Sequence, residues 1–219
     1  LYPGFPLSLA ELARRYGTET ARAVHFAMRE TVDEVERVLR REGIDAQFHR
    51  GGVLRLARGW HQLPALEETA RTLDRLGLAD YAEWFSAEQV RERVRVTEAV
   101  AGLYSPQGAV IHPGRLVRGL ARAIERRGAT IFEESPVIDF RGGSQPSFRT
   151  PKGEVRARVL VLAGEAYLSQ LPHMHRALIP IYSLIVLTEP LPEAIWREIG
   201  WENRELLSSQ RLTVDYLQQ

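Results

Sequence analysis

The chain has 219 residues, 44% of them hydrophobic, which is enough for a buried core in one large domain or two small ones. Its 29 Lys and Arg are balanced by 28 Asp and Glu, so it has no uncompensated basic field to grip a nucleic-acid backbone or an anionic membrane. Cysteine is absent, which excludes disulfides, thiolate nucleophiles, Cys-ligated zinc and iron–sulfur clusters and assigns any redox chemistry to a bound cofactor.

Along the chain, Ser8-Leu9-Ala10-Glu11 fits a capping box that opens a short helix closed by Gly17. A longer helix is expected from Thr18 to Glu42, because Val24, Met28, Thr31, Val35, Val38 and Leu39 recur at three- and four-residue steps; Gly43 ends it. From Gln47 to Ala57 the pattern predicts two short strands joined by a turn at Gly51-Gly52. Leu63 to Leu76 reads as an amphipathic helix closing at Gly77, and Ser86-Ala87-Glu88-Gln89 as a second capping box. The aromatics of Tyr81-Ala82-Glu83-Trp84-Phe85 read as packing groups.

Ala101 to Tyr104 and Ala109 to Ile111 are expected as strands, and His112-Pro113-Gly114 starts a helix ending at Gly128. Ala129 to Phe132 and Val137 to Phe140 are expected as further strands, followed by an antiparallel ribbon containing Phe148 and Val155. Val159-Leu160-Val161-Leu162-Ala163 is apolar throughout, which predicts a strand buried on both faces and closed by Gly164. Ile179 to Thr188 reads as another long apolar strand, and Ile195, Trp196 and Ile199 mark an amphipathic turn. The class is mixed α and β (α/β). No apolar run approaches the roughly 18 residues that span a bilayer, and no signal peptide is visible, so a soluble, cytoplasmic protein is expected. The start at Leu1 and the alternating Leu212, Val214, Tyr216 just before Gln219 suggest a strand cut short in a longer polypeptide.

A small residue after a buried strand lets a backbone approach a pyrophosphate, and Ala163-Gly164 meets that requirement. Beyond this local reading, five ordered segments carry a resemblance: Gly108-Ala109-Val110-Ile111-His112-Pro113, Leu116 to Ala121, Arg127 to Val137, Thr150 to Ala157, and Val161-Leu162-Ala163-Gly164-Glu165-Ala166-Tyr167. Together they resemble the FAD-dependent oxidoreductases of the D-amino-acid oxidase superfamily, in the style of glycine oxidase and the gamma-glutamylputrescine oxidase-like branch. The resemblance implies a partial glutathione-reductase-like FAD-binding domain interleaved with a mixed-sheet substrate domain. Residues 1–46 and 106–172 are then expected in the cofactor domain, and 47–105 and 173–219 in the substrate domain.

The resemblance further implies that FAD is the cofactor, that Val137 meets it through main-chain groups, and that Ala163 and Gly164 lie against it. Read from the residue alone, Val137 is an ordinary strand position. No G-x-G-x-x-G occurs in the chain, and the resemblance places the family's glycine-rich cofactor segments before Leu1 and after Gln219. The implied reaction is oxidation of the C–N bond of a small-molecule amine or amino acid by hydride transfer to flavin, for which no acid–base pair is required. Catalytic residues are not identified. Tyr182 is the candidate substrate contact, and an inward-packed strand tyrosine is its structural alternative. His49-Arg50 read as a turn and His112 as a helix-entry residue. His173-Met174-His175 lacks a third ligand nearby, so no metal is expected. A competing reading is a non-catalytic module that uses the substrate-domain sheet to hold a small molecule or a protein.

Overall fold

The computed structural model describes residues 1–211 and 215–219; Leu212 and Val214 of the expected terminal strand lie outside them. In chain order the elements are α1 (Leu9–Tyr16), α2 (Thr18–Glu42), β1 (Val53–Arg58), α3 (Leu63–Arg75), β2 (Glu83–Ser86), α4 (Ala87–Arg93), β3 (Ala99–Ser105) and α5 (Pro113–Arg126). They continue with β4 (Asp139–Arg141), β5 (Ser147–Thr150), β6 (Gly153–Arg156), α6 (Glu193–Ile199), β7 (Leu206–Ser209) and β8 (Tyr216–Leu217). Short 3₁₀ turns cover Ala79–Tyr81 and Glu165–Gln170. Two compact units result, one of residues 1–127 with 190–219, the other of residues 128–189.

In the first unit the helix ends follow the sequence signals. Ser86 and Gln89 form the full reciprocal capping box at the start of α4. At α1 only half of one forms: the Ser8 hydroxyl accepts from the Glu11 N–H at 3.2 Å. The Glu11 carboxylate turns instead to Arg14 and Arg15, whose hydrogen bonds hold it down at about 2. Gly43 closes α2 in the left-handed region at φ 66°, which a residue without a Cβ adopts freely. The face of α2 is rotated from the expected stripe: Ala21, Val32 and Leu39 are buried, while Thr31 is exposed and back-bonds to the Ala27 carbonyl.

The five-stranded sheet of this unit runs in the order β2-β3-β1-β7-β8. β1 is its centre, antiparallel to β3 with Leu54 opposite Tyr104 and parallel to β7 with Val53 opposite Leu206. The sheet is therefore mixed. Period-2 alternation along β1 sends Leu54 and Leu56 to one face, against Phe85, Val90, Val94 and Trp201. Ala57 packs on the other face in a cluster with Leu12, Ala21, Leu66, Leu73 and Leu78 from the helical layer. Each fully buried Leu contributes roughly 1.5–3 kcal/mol relative to exposure.

The second unit contains a three-stranded antiparallel sheet, β4-β5-β6, with Phe148 opposite Phe140 on one side and Val155 on the other. Here several strand expectations are corrected. Val159 to Ala163 forms no strand and is not buried: Val159 and Val161 are 75% and 78% exposed. Ile179 to Thr188 also forms no strand, with Ile179, Leu184 and Leu187 open to solvent, and Ala129 to Phe132 is irregular. The strand expected at Ala109 to Ile111 contracts to one antiparallel bridge between Val110 and His49, which is also all that remains of the first strand of the 47–57 pair. For Val159 to Ala163, Ile179 to Thr188 and Ala129 to Phe132 the cause is common: apolar patterning says a segment avoids water, but a strand exists only where a neighbour accepts and donates its main-chain bonds, and these three meet none among the described residues.

Candidate cofactor site

The β4-β5-β6 sheet and the segment that follows it enclose a cavity of about 460 Å³. Val137, Ala163 and Gly164, the three residues singled out for a cofactor, all line it, beside Phe140, Phe148 and Val161. Phe140 and Phe148 reach it from paired positions on β4 and β5. Gly164 caps the 3₁₀ turn, its carbonyl accepting from the Tyr167 N–H at 3.1 Å. A Cβ on Gly164 would stand 2.8 Å from Leu168 Cδ2, so a larger residue there displaces the wall. Among the described residues, the main-chain N–H and C=O groups of Val137, Leu162 and Ala163 make no hydrogen bond.

Apolar walls built from residues with free main-chain donors and acceptors suit an aromatic ring whose edge carries both. This cavity fits one ring-bearing part of a flavin nucleotide in size and chemistry.

The other candidates fall elsewhere. Tyr182 stands in the irregular 179–188 segment, 84% exposed, and lines none of the cavities described here. His173 faces Asp139 at 3.5 Å and packs on the Phe140 ring, whereas His175 Nδ1 lies 2.8 Å from the Ser169 carbonyl. No group of three His, Asp or Glu able to hold a metal occurs among the described residues. His112 caps α5, its Nδ1 accepting from the Arg115 N–H at 3.3 Å. His49 lies 2.9 Å from the Asn203 carbonyl, and Arg50 pairs with Asp33 at 2.9 Å and with Glu36.

A second cavity, of about 300 Å³, lies in the first unit, where Arg29 of α2 and Arg55 of β1 line it with Tyr2 and Tyr81. Sequence reading passed over both arginines. The signal was present: Arg55 is a charge in the middle of the apolar strand Val53-Leu54-Arg55-Leu56-Ala57.

A family profile described as FAD dependent oxidoreductase matches residues 3–218. The chain belongs to this family. Within this FAD-dependent oxidoreductase family, the chain is 30% identical over 212 residues to the gamma-glutamylputrescine oxidoreductase of Escherichia coli strain K12, covering 93% of the chain and 49% of that protein. Over 122 residues it is 29% identical to the glycine oxidase of Bacillus licheniformis, covering 55% of the chain and 30% of the relative. The fold is similar to that of L-proline dehydrogenase from P. horikoshii, with a TM-score of 0.66 and 18% identity over 90% of this chain and 52% of that one. Glycine oxidase from Bacillus cereus ATCC 14579 gives a TM-score of 0.59 and 22% identity over 79% and 46%. The chain thus spans about half the length of the first of these relatives. FAD is the family's cofactor. No described helix is long and apolar enough to cross a membrane.

Proposed function

We propose that the chain is part of a flavin-dependent oxidoreductase that oxidises the C–N bond of a small-molecule amine or amino acid. The observation that carries this reading is the convergence of Val137, Ala163 and Gly164 on one cavity with free main-chain groups. The relatives support the substrate class, since one is a gamma-glutamylputrescine oxidoreductase and another a glycine oxidase.

FAD, when bound, supplies the hydride acceptor, and the imine left behind hydrolyses in water. This chain's residues hold and shield it: Val137 and Ala163 offer main-chain hydrogen bonds to a ring edge, Phe140 and Phe148 cover it, and Gly164 permits close approach. In this reading residues 1–46 and 106–172 belong to the cofactor domain and 47–105 and 173–219 to the substrate domain. Tyr182 orients the substrate through its hydroxyl. The remaining cofactor contacts come from glycine-rich segments outside these 219 residues, because the sequence contains no G-x-G-x-x-G.

The test is an anaerobic flavin-reduction screen, against amino acids, polyamines and N-methylated amines, of the polypeptide that carries this chain with those segments. Bleaching of bound flavin by one of these classes supports the proposal. A protein that retains no flavin is instead the non-catalytic binding module. Unchanged turnover and substrate affinity in Tyr182→Phe would remove Tyr182 from the site.

A further inference from the structure

We propose that the cavity between the amino-terminal segment, α2 and β1 is a binding site for a small organic carboxylate with an apolar body, held by Arg55 and Arg29. The proposal goes beyond the flavin reading and does not rest on it, since neither arginine belongs to the unit that holds Val137, Ala163 and Gly164.

The Arg55 side chain makes no hydrogen bond and no ion pair with any described residue; its guanidinium lies over the Tyr2 ring, 5.2 Å from the centroid. Arg29 is alike, unpaired and 4.5 Å from the Tyr81 ring centroid. Burial pushes both guanidinium groups below their usual pKa, against small opposing effects of Tyr216 on Arg55 and of Tyr81 and Asp33 on Arg29. Arg55 lies deeper than Arg29, and a guanidinium keeps its charge on burial, so an anion in the cavity would offset hydration that Arg55 above all has lost.

No wall residue replaces it. Glu68 is the acidic residue lining the cavity, and its carboxylate already receives Arg75 at 2.6 Å and Arg71 at 3.1 Å. Asp33, the acidic neighbour on α2, is held by Arg50 at 2.9 Å. Burial, and then Arg29 and Arg22, lower the pKa of the His25 imidazole, also on the wall, and its Nε2 is a buried atom with no hydrogen-bond partner among the described residues. With Arg29 and Arg55 against Glu68, the cavity is therefore net positive.

The rest of the lining selects the ligand. Leu7, Val24, Met28 and Leu73 are apolar, which disfavours a compact, strongly hydrated ion such as inorganic phosphate. A planar carboxylate meets a guanidinium fork with two parallel bonds, and an apolar body fills the remainder. About 300 Å³ is the small end of ligand cavities, which limits the ligand to a few carbon atoms beyond its acid group.

Isothermal titration calorimetry of the chain with 4-methylpentanoate, 4-methylpentanamide and inorganic phosphate tests this. Binding of the carboxylate, at least tenfold weaker binding of the amide and of phosphate, and a tenfold or greater loss in both Arg55→Met and Arg29→Met are expected, with Arg55→Lys falling between. Thermal midpoints of the variants confirm that they fold, and the comparison of the three ligands needs no variant. Absence of carboxylate binding, equal affinity for the amide or phosphate, or folded Met variants that bind like the unaltered chain would overturn the assignment.

Discussion

Arg93, at the end of α4, donates to Oε1 of Glu205, a carboxylate 1% exposed just before β7, at 3.3 Å. Asn203 Nδ2 donates to the same oxygen at 3.3 Å, while Oε2 has no partner among the described residues. Arg93 also lies over the Tyr104 ring, 4.5 Å from its centroid. Arg93 is 37% exposed, so its removal strands only the buried Glu205 carboxylate, which keeps Asn203, and Arg93→Met is expected to cost about 1–3 kcal/mol in chemical denaturation. Adding Glu205→Gln in that background neutralises the stranded charge and should restore part of the loss.

Gly51 sits where two segments cross. Its carbonyl accepts from Tyr104 Oη at 3.2 Å and from Asn203 Nδ2 at 3.1 Å, and a Cβ added to it would stand 2.4 Å from the Asn203 carbonyl oxygen. Backbone cannot yield as a flexible side chain does. Gly51→Ala is expected to destabilise by about 1–3 kcal/mol. Gly142→Ala, where an added Cβ meets nothing within 4 Å, should stay within about 0.5 kcal/mol of the unaltered chain in the same assay.

His25 gives the first unit an acid sensitivity. Desolvation, and then the charges of Arg29 and Arg22, lower its pKa from the ordinary 6.5, while its ring packs edge-on to Phe26 and Tyr81. Below that ordinary value the unfolded chain takes up a proton that the folded chain resists, so stability falls as pH drops through it. His25→Phe keeps the ring packing, removes the titration and the buried Nε2, and should flatten the decline in denaturation midpoint between pH 7.5 and about 5.5. An identical decline in the variant would show that other groups cause it.

Ser86 caps α4 by accepting from the Gln89 N–H at 3.3 Å, and Gln89 returns a bond to the Ser86 N–H at 2.8 Å. Ser86→Ala is expected to cost about 1 kcal/mol, read from the thermal midpoint. Ser86→Asp should retain most of the cap, since a carboxylate accepts from the same donors.

Signals that act within a few residues were legible in the sequence. The boundaries of α2 at Thr18 and Glu42, the cap at Ser86, the entry of α5 at His112 and the antiparallel ribbon that contains Phe148 and Val155 all follow from spacing, capping chemistry and glycine. Val137, Ala163 and Gly164, which line one cavity, were singled out only through the ordered segments around them, because an alanine and a glycine after an apolar run carry little chemistry of their own. Thr31 was misassigned to the buried stripe because threonine tolerates either side of a helix, and the neighbouring Val32 is the residue that packs.

By itself the sequence determined the helices, the turns, the mixed class and the family, since these depend on local periodicity and on ordered motifs. Only the tertiary structure decided which apolar runs become strands: β1 finds β3 and β7, whereas Val159 to Ala163 finds no partner among the described residues. It also decided that Arg55, one charge in an apolar strand, faces the same cavity as Arg29 from a separate helix. Both outcomes depend on contacts between residues far apart in the chain, and a main-chain hydrogen bond or an unmatched charge is defined by its neighbours in space.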